Sequence, residues 1–93
     1  MDVTVRKNEQ EGRYEGITAD GDVAGYADYH LSGDRVVFPH TVTHPQYREQ
    51  GVAAQVVRAA LDDARDRGLK VVPSCWYVAG FIRDNPEYAD LVR

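Results

Sequence analysis

The hydrophobic period of this chain changes once, at His44-Pro45, and the change divides it into a strand-forming half and a helix-forming half. Before that point apolar residues recur every second position. Val3 and Val5 flank Thr4 in a short first strand, which the polar run Lys7-Asn8-Glu9-Gln10-Glu11-Gly12 ends. Residues 13–19 and 22–31 read as two further strands joined at Asp20-Gly21, a pair that predicts a tight hairpin with both central residues at positive φ. In the third strand Val23, Gly25, Ala27, Tyr29 and Leu31 share one face, and Ala24, Tyr26, Asp28 and His30 share the other. A fourth strand over 35–43 carries Val36, Val37 and Phe38 into Pro39. Proline cannot donate to a ladder, so it marks an edge, a bulge or a place where strands separate.

After the change, Ala53, Val56, Val57, Ala60, Leu61 and Ala64 form one stripe of a helix over 51–67, with Asp63 and Arg67 placed to pair and Gly68 as its cap. Residues 69–72 follow as a short strand. A helix joining two strands by so short a route makes them parallel neighbours. Ser74 reads as the N-cap of a second helix over 75–84, and Asn85 as the cap of a last turn opened by Pro86. The fold class is α+β: a meander of four antiparallel strands, a helical crossover to a parallel fifth strand, and C-terminal helices.

With 93 residues the chain is expected to be a single domain, 1–93, because halves of that size could not each bury a core. One cysteine excludes an internal disulfide. The 11 basic against 15 acidic residues oppose a nucleic-acid footprint. No apolar run approaches a membrane span and the first residues carry no basic-then-apolar signal, so the expected setting is cytoplasmic, away from membranes, as a monomer or weak dimer.

The chemistry concentrates where the strands give way to the helix. A helix start leaves backbone N–H groups unpartnered and carries partial positive charge, and in Arg48-Glu49-Gln50-Gly51-Val52-Ala53 a glycine and a small alanine leave it approachable. Arg48 adds a full charge, and the set suits a pyrophosphate. The alternative is that Gly51 and Ala53 only let the helix pack closely on the sheet.

This Arg-x-x-Gly-x-Ala after a β-meander resembles the acetyl-coenzyme A signature of the GNAT superfamily of N-acetyltransferases. Together with His40-Thr41, Val72-Pro73-Ser74-Cys75 and the ending Asn85-Pro86-Glu87-Tyr88, it is similar to the minimal single-domain branch of that superfamily. The resemblance implies that the fourth and fifth strands splay and that the pantetheine arm pairs with backbone of Thr41, Val42 and Thr43. It further implies that Arg48 and the amides of Gln50, Gly51, Val52, Ala53 and Ala54 take the pyrophosphate, and that the thioester lies beside Cys75. Two positions depart from the family pattern: Glu49 stands where a glycine is usual, and Val42 where an acidic residue is.

Cys75 has three readings: a core filler, a nucleophile activated at a helix start, or an unreacting wall of the acetyl pocket. His40 reads as an acceptor of the amine proton or as a strand histidine bonded to backbone; His44, before proline, reads as exposed. No spacing of histidine and cysteine supports a metal site. Tyr77 matches a position where larger relatives protonate the departing thiolate, or else packs beside Trp76, Phe81 and Ile82. Arg83 reads as a phosphate contact or a helix cap. The expected activity is acetyl transfer from acetyl-coenzyme A to an amine of a small molecule or protein by direct attack. The rival is a non-catalytic module that binds acyl-coenzyme A or a partner protein.

Overall fold

In the computed structural model, which describes residues 1–92, seven short strands and two helices follow the expected order. The strands are β1 (Thr4–Asn8), β2 (Arg13–Ile17), β3 (Val23–Asp28), β4 (His30–Ser32), β5 (Arg35–Val37), β6 (Thr41–Thr43) and β7 (Lys70–Val72). The helices are α1 (Val52–Asp66) and α2 (Trp76–Asp84), with 3-10 turns at Pro45–Tyr47 and Pro86–Leu91. The first strand is longer than expected. Arg6 and Asn8 belong to it because they face the side of the sheet that no helix covers, where polar side chains cost nothing.

The expected third and fourth strands are each broken in two, because they leave one sheet and enter another. β1, β2, β3 and β6 form an antiparallel sheet in that order; β4, β5 and β7 form a second, in which β5 and β7 run parallel from Arg35↔Lys70 to Val37↔Val72. The exchange of partners happens at Pro39. On one side, Phe38 donates its N–H to Val72 O (3.1 Å) and accepts from Cys75 N–H (2.9 Å); on the other, His40 O accepts from Asp28 N–H (2.9 Å).

Two smaller expectations are corrected. At the β2–β3 hairpin only Gly21 has positive φ (92°). Gly21 N–H donates to Thr18 O (2.9 Å) and the register shifts at Gly16/Ile17, so the loop is a turn with a bulge rather than a two-residue turn. Ser74 does not cap α2; Cys75 occupies the N-cap position. Asn85 takes the N-cap position of the last turn, as expected, and its side chain also closes α2, donating to Phe81 O (2.9 Å) and accepting from Arg58 Nη2 (3.1 Å).

Helix α1 covers the inner face of the first sheet with Val52, Val56, Val57, Ala60, Leu61 and Ala64, all buried; Val52, not Ala53, begins the stripe. It can lie close because Gly16 and Gly25 face it. A Cβ on Gly25 would sit 2.7 Å from Val42 O and 3.2 Å from Val52 Cγ1, and one on Gly16 would sit 2.9 Å from Val56 Cγ2. Farther along, the Tyr14 hydroxyl donates to Asp63 Oδ2 (2.6 Å), which also pairs with Arg67 at 3.0 Å.

Gly25→Ala forces the β6 backbone or Val52 to yield, and overpacking of this kind costs about 1–3 kcal/mol. In a domain of this size the melting temperature should fall by roughly 4–8 °C for each kcal/mol. An unchanged melting temperature would show that α1 and β6 are not held at this distance.

Candidate functional site

A gap opens where β6 leaves β7, and the pairing of β6 decides what faces it. His40 O and His44 N–H bond to Asp28 and Ala24 of β3, and the register between them is Ala27↔Thr41, Tyr26↔Val42 and Gly25↔Thr43. Antiparallel ladders alternate, so His40, Val42 and His44 spend their backbone groups on β3, whereas Thr41 and Thr43 turn theirs the other way. Among the described residues no strand pairs with that second edge. Of the three residues expected to offer backbone here, Thr41 and Thr43 do and Val42 does not. The side chain of Val42 shares the uncovered face with Tyr26.

Cys75 closes the inner end of the gap. Its thiol is buried and donates to Thr41 Oγ1 at 3.6 Å. Burial pushes the thiol up, but the Thr41 hydroxyl and the N–H groups of Val78, Tyr77 and Thr41 outweigh it, and the net shift is below the ordinary thiol value. Cys75 is the N-cap residue of α2, in extended conformation (φ −78°, ψ 130°), which sets its sulfur near the first N–H groups of the helix.

The outer end leads to the loop before α1. Arg48 is extended, Glu49 has φ 62° and Gly51 has φ 78°. Glu49 is the one non-glycine residue at positive φ among the described residues, a conformation that side chains disfavour. Left-handed residues beside a helix start gather successive N–H groups into an anion-sized concavity, to which Val52, Ala53 and Ala54 add the unpartnered amides of the first turn. A Cβ on Gly51 would meet nothing within 4 Å, so the glycine is required by its φ and the space above it is open. Arg48 is exposed and its side chain has no hydrogen-bond partner among the described residues. Gln50 is exposed, with its side chain turned back to Gln46 O (3.3 Å).

Gln55, which no sequence motif singles out, braces this loop. Its amide donates to Gly51 O (3.2 Å) and Met1 O (2.6 Å) and accepts from Val3 N–H (3.0 Å), fastening the first residues and the loop to α1. A polar residue one turn inside an otherwise apolar helix start was the available signal.

The other expected residues are dispersed. His40 is 73% exposed and lies 3.8 Å from Asp28 Oδ2 on the uncovered face of the sheet, opposite to the face where Thr41 meets Cys75. His44, expected to be exposed, is half-buried edge-on to Tyr26. Tyr77 is half-buried, with burial pushing its hydroxyl up, and stands edge-on to Trp76. Trp76, expected to pack, is 84% exposed. With Tyr77, Gly80, Phe81 and Arg83 it lines an open depression of about 360 Å³ along the outside of α2. Arg83 stands in the last turn of α2, where a positive charge suits the helix dipole, and lies 3.6 Å from Asp84. Among the described residues no three His, Cys, Asp or Glu side chains converge as metal ligands, and no helix is long and apolar enough to cross a membrane.

The family model described as GCN5-related N-acetyl-transferase matches residues 13–91. The chain is 36% identical over 59 residues to Protein NATD1 of Homo sapiens, covering 62% of this chain and 52% of that protein. To Protein NATD1 of Danio rerio it is 32% identical over 66 residues, covering 70% and 60%. The chain spans about half the length of these curated relatives. Among solved structures, a GCN5-like protein of Staphylococcus aureus superposes with a TM-score of 0.74 at 18% identity, over 97% of this chain and 87% of that one. The ribosomal-protein-S18-alanine N-acetyltransferase of Escherichia coli gives 0.64 at 18% identity, over 86% and 54%. At these identities the likeness of structure speaks for the fold.

Because Cys75 is the only cysteine, its titration can be followed by ultraviolet absorbance of the thiolate. Thiolate should form at lower pH than in free cysteine, near 8.5. Thr41→Val removes the hydroxyl that favours the anion, and the curve should move to higher pH. A curve unmoved by Thr41→Val would mean that the hydroxyl does not act on the sulfur.

Proposed function

The chain belongs to the GCN5-related N-acetyltransferase family, and from that premise we propose that it transfers an acetyl group from acetyl-coenzyme A to an amine. The observation that carries the proposal is the gap between β6 and β7, with backbone groups of Thr41 and Thr43 turned into it, running from the Cys75 sulfur to the loop before α1. A pantetheine arm carries amides at the spacing of a strand and completes the free edge of β6. The pyrophosphate then rests on the amides from Gln50 to Ala54, with Arg48 as counter-charge. The thioester comes to lie beside Thr41 and Cys75.

In this arrangement a neutral amine attacks the thioester carbonyl carbon. A backbone N–H of β6 steadies the oxyanion, the carbon–sulfur bond breaks, and the thiolate leaves with the electron pair. The proton lost by the amine passes to His40 or water, and the thiolate takes a proton from solvent or from Tyr77, giving an amide and the free thiol. Cys75 forms the wall of the acetyl pocket. Direct transfer needs no protein nucleophile, since a ternary complex already supplies proximity. The rival, a module that binds acyl-coenzyme A without turnover, uses the same gap and loop. Release of free thiol in the presence of a panel of amines separates the two.

Gly51→Glu puts a side chain at positive φ and a negative charge at the phosphate loop, and calorimetry should find coenzyme A binding lost. Arg48→Ala should weaken binding by about 1–2 kcal/mol, one charge-assisted contact. Wild-type affinity in Gly51→Glu would remove the loop from the coenzyme site.

Cys75→Ala should retain activity within about tenfold, ~1.4 kcal/mol in barrier. An acetyl adduct on Cys75, seen by mass spectrometry and discharged by amine, together with an inactive Cys75→Ala, would replace direct transfer by a covalent route.

A further inference from the structure

The face of the first sheet turned away from α1 carries no helix among the described residues, and it borders the gap along β6. The register places two rows of side chains on it: Arg6, Glu15, Tyr26 and Val42, and beside them Asn8, Arg13, Asp28 and His40. Glu15 is 1% exposed, yet all its bonds are made: Arg6 Nη2 and Arg13 Nε donate to it at 2.7 Å and Asn8 Nδ2 at 3.2 Å. Glu15 thus takes Arg6 and Arg13 together, while Asp28, directly opposite Arg13 in the ladder, bonds to neither guanidinium.

Free donors on this face belong to Arg13. Its guanidinium carbon lies over the Tyr26 ring, 4.4 Å from the centroid, and its Nε bonds to Glu15. Neither Nη of Arg13 has a protein acceptor among the described residues. An arginine fixed through Nε and stacked on an aromatic ring offers its remaining fork to a planar anion with little entropy left to lose. Two residues along β3 on the same face stands Asp28, with His40 at 3.8 Å beside the gap.

We propose that this uncovered face is the acceptor site and that the acceptor is an amine bearing a carboxylate, an amino acid being the simplest example. The proposal rests on the acetyl-transfer reading above. The carboxylate pairs with the Nη fork of Arg13, and the amino group lies at Asp28 and His40 on the border of the gap. Asp28 faces Arg13 across the ladder, but the guanidinium is carried over Tyr26, two residues before Asp28 on β3 and so about 7 Å from it. Two hydrogen bonds of about 2.8 Å and the roughly 3 Å between the nitrogen and carboxylate of an α-amino acid bridge that interval.

The test compares phenylalanine with phenethylamine, which share the amine and the ring and differ by the carboxylate. Each is titrated by NMR into the protein, free and loaded with coenzyme A, and each is assayed as an acetyl acceptor. Wild type should bind phenylalanine at least tenfold more tightly than phenethylamine and show the same preference in KM. Arg13→Gln should bring the two to parity. Arg13→Lys, which keeps a positive charge beside Glu15, should lose most of the preference without unfolding, because a point charge does not reproduce the fork. Equal affinity for the two compounds in wild type, or a preference that survives in the folded variants, overturns the proposal. Failure of coenzyme A to bind would instead strike the acetyl-transfer reading, and the titration of the free protein would still decide the role of Arg13.

Discussion

Everything distinctive in this structure follows from the exchange of hydrogen-bond partners across Phe38-Pro39-His40. Phe38 is tied to Val72 and Cys75 on one side, and His40 is tied to Asp28 on the other. Pro39, between them, has no N–H to commit to either. A strand that followed β7 throughout would close the sheet. Because this one returns to β3, the edge of Thr41–Thr43 is left unpaired within the domain. Unpaired backbone is a liability at an ordinary sheet edge, and in a cleft it is a template for an extended ligand with amides of its own.

The same exchange places the remaining groups. The bond from Cys75 N–H to Phe38 O fixes the start of α2 against the pivot, so the first amides of that helix converge on the sulfur that Thr41 meets from the other side. At the far end β6 leads through the turn Pro45–Tyr47 into the left-handed residues Glu49 and Gly51, where α1 begins. The helix can start so close to the sheet because Gly16 and Gly25 yield their side-chain volume to Val52 and Val56. The free edge of β6, the thiol beside Thr41 and the left-handed residues before α1 are therefore placed by the same strand.

Much of this was legible in the sequence, for physical reasons that differ from residue to residue. The apolar stripe of α1 and the parallel pairing of β5 with β7 follow from period and connection length, and both are present. Pro39 announced an interruption but not that the interruption exchanges sheets, since the pairing partners lie ten to forty residues away. The length of β1 was missed because Arg6 and Asn8 look like loop residues until the sheet is known to have a bare face. The resemblance groups Val42 with Thr41 and Thr43, and residue spacing alone cannot say which way a backbone turns. His40 and Cys75 are both expected at the reacting thioester, yet the alternation of β6 puts them on opposite faces. Gln55 had no motif at all; its role exists only through contacts with Met1, Val3 and Gly51.

Amide resonances followed by NMR during titration with acetyl-coenzyme A test the central claim most directly. If the ligand completes the free edge of β6, the amides of Thr41 and Thr43 and those of the loop from Gln50 to Ala54 shift and become protected from exchange. The Val42 amide, already committed to β3, then gains no new protection. Protection gained at Val42, with Thr43 and the loop unmoved, would contradict the account.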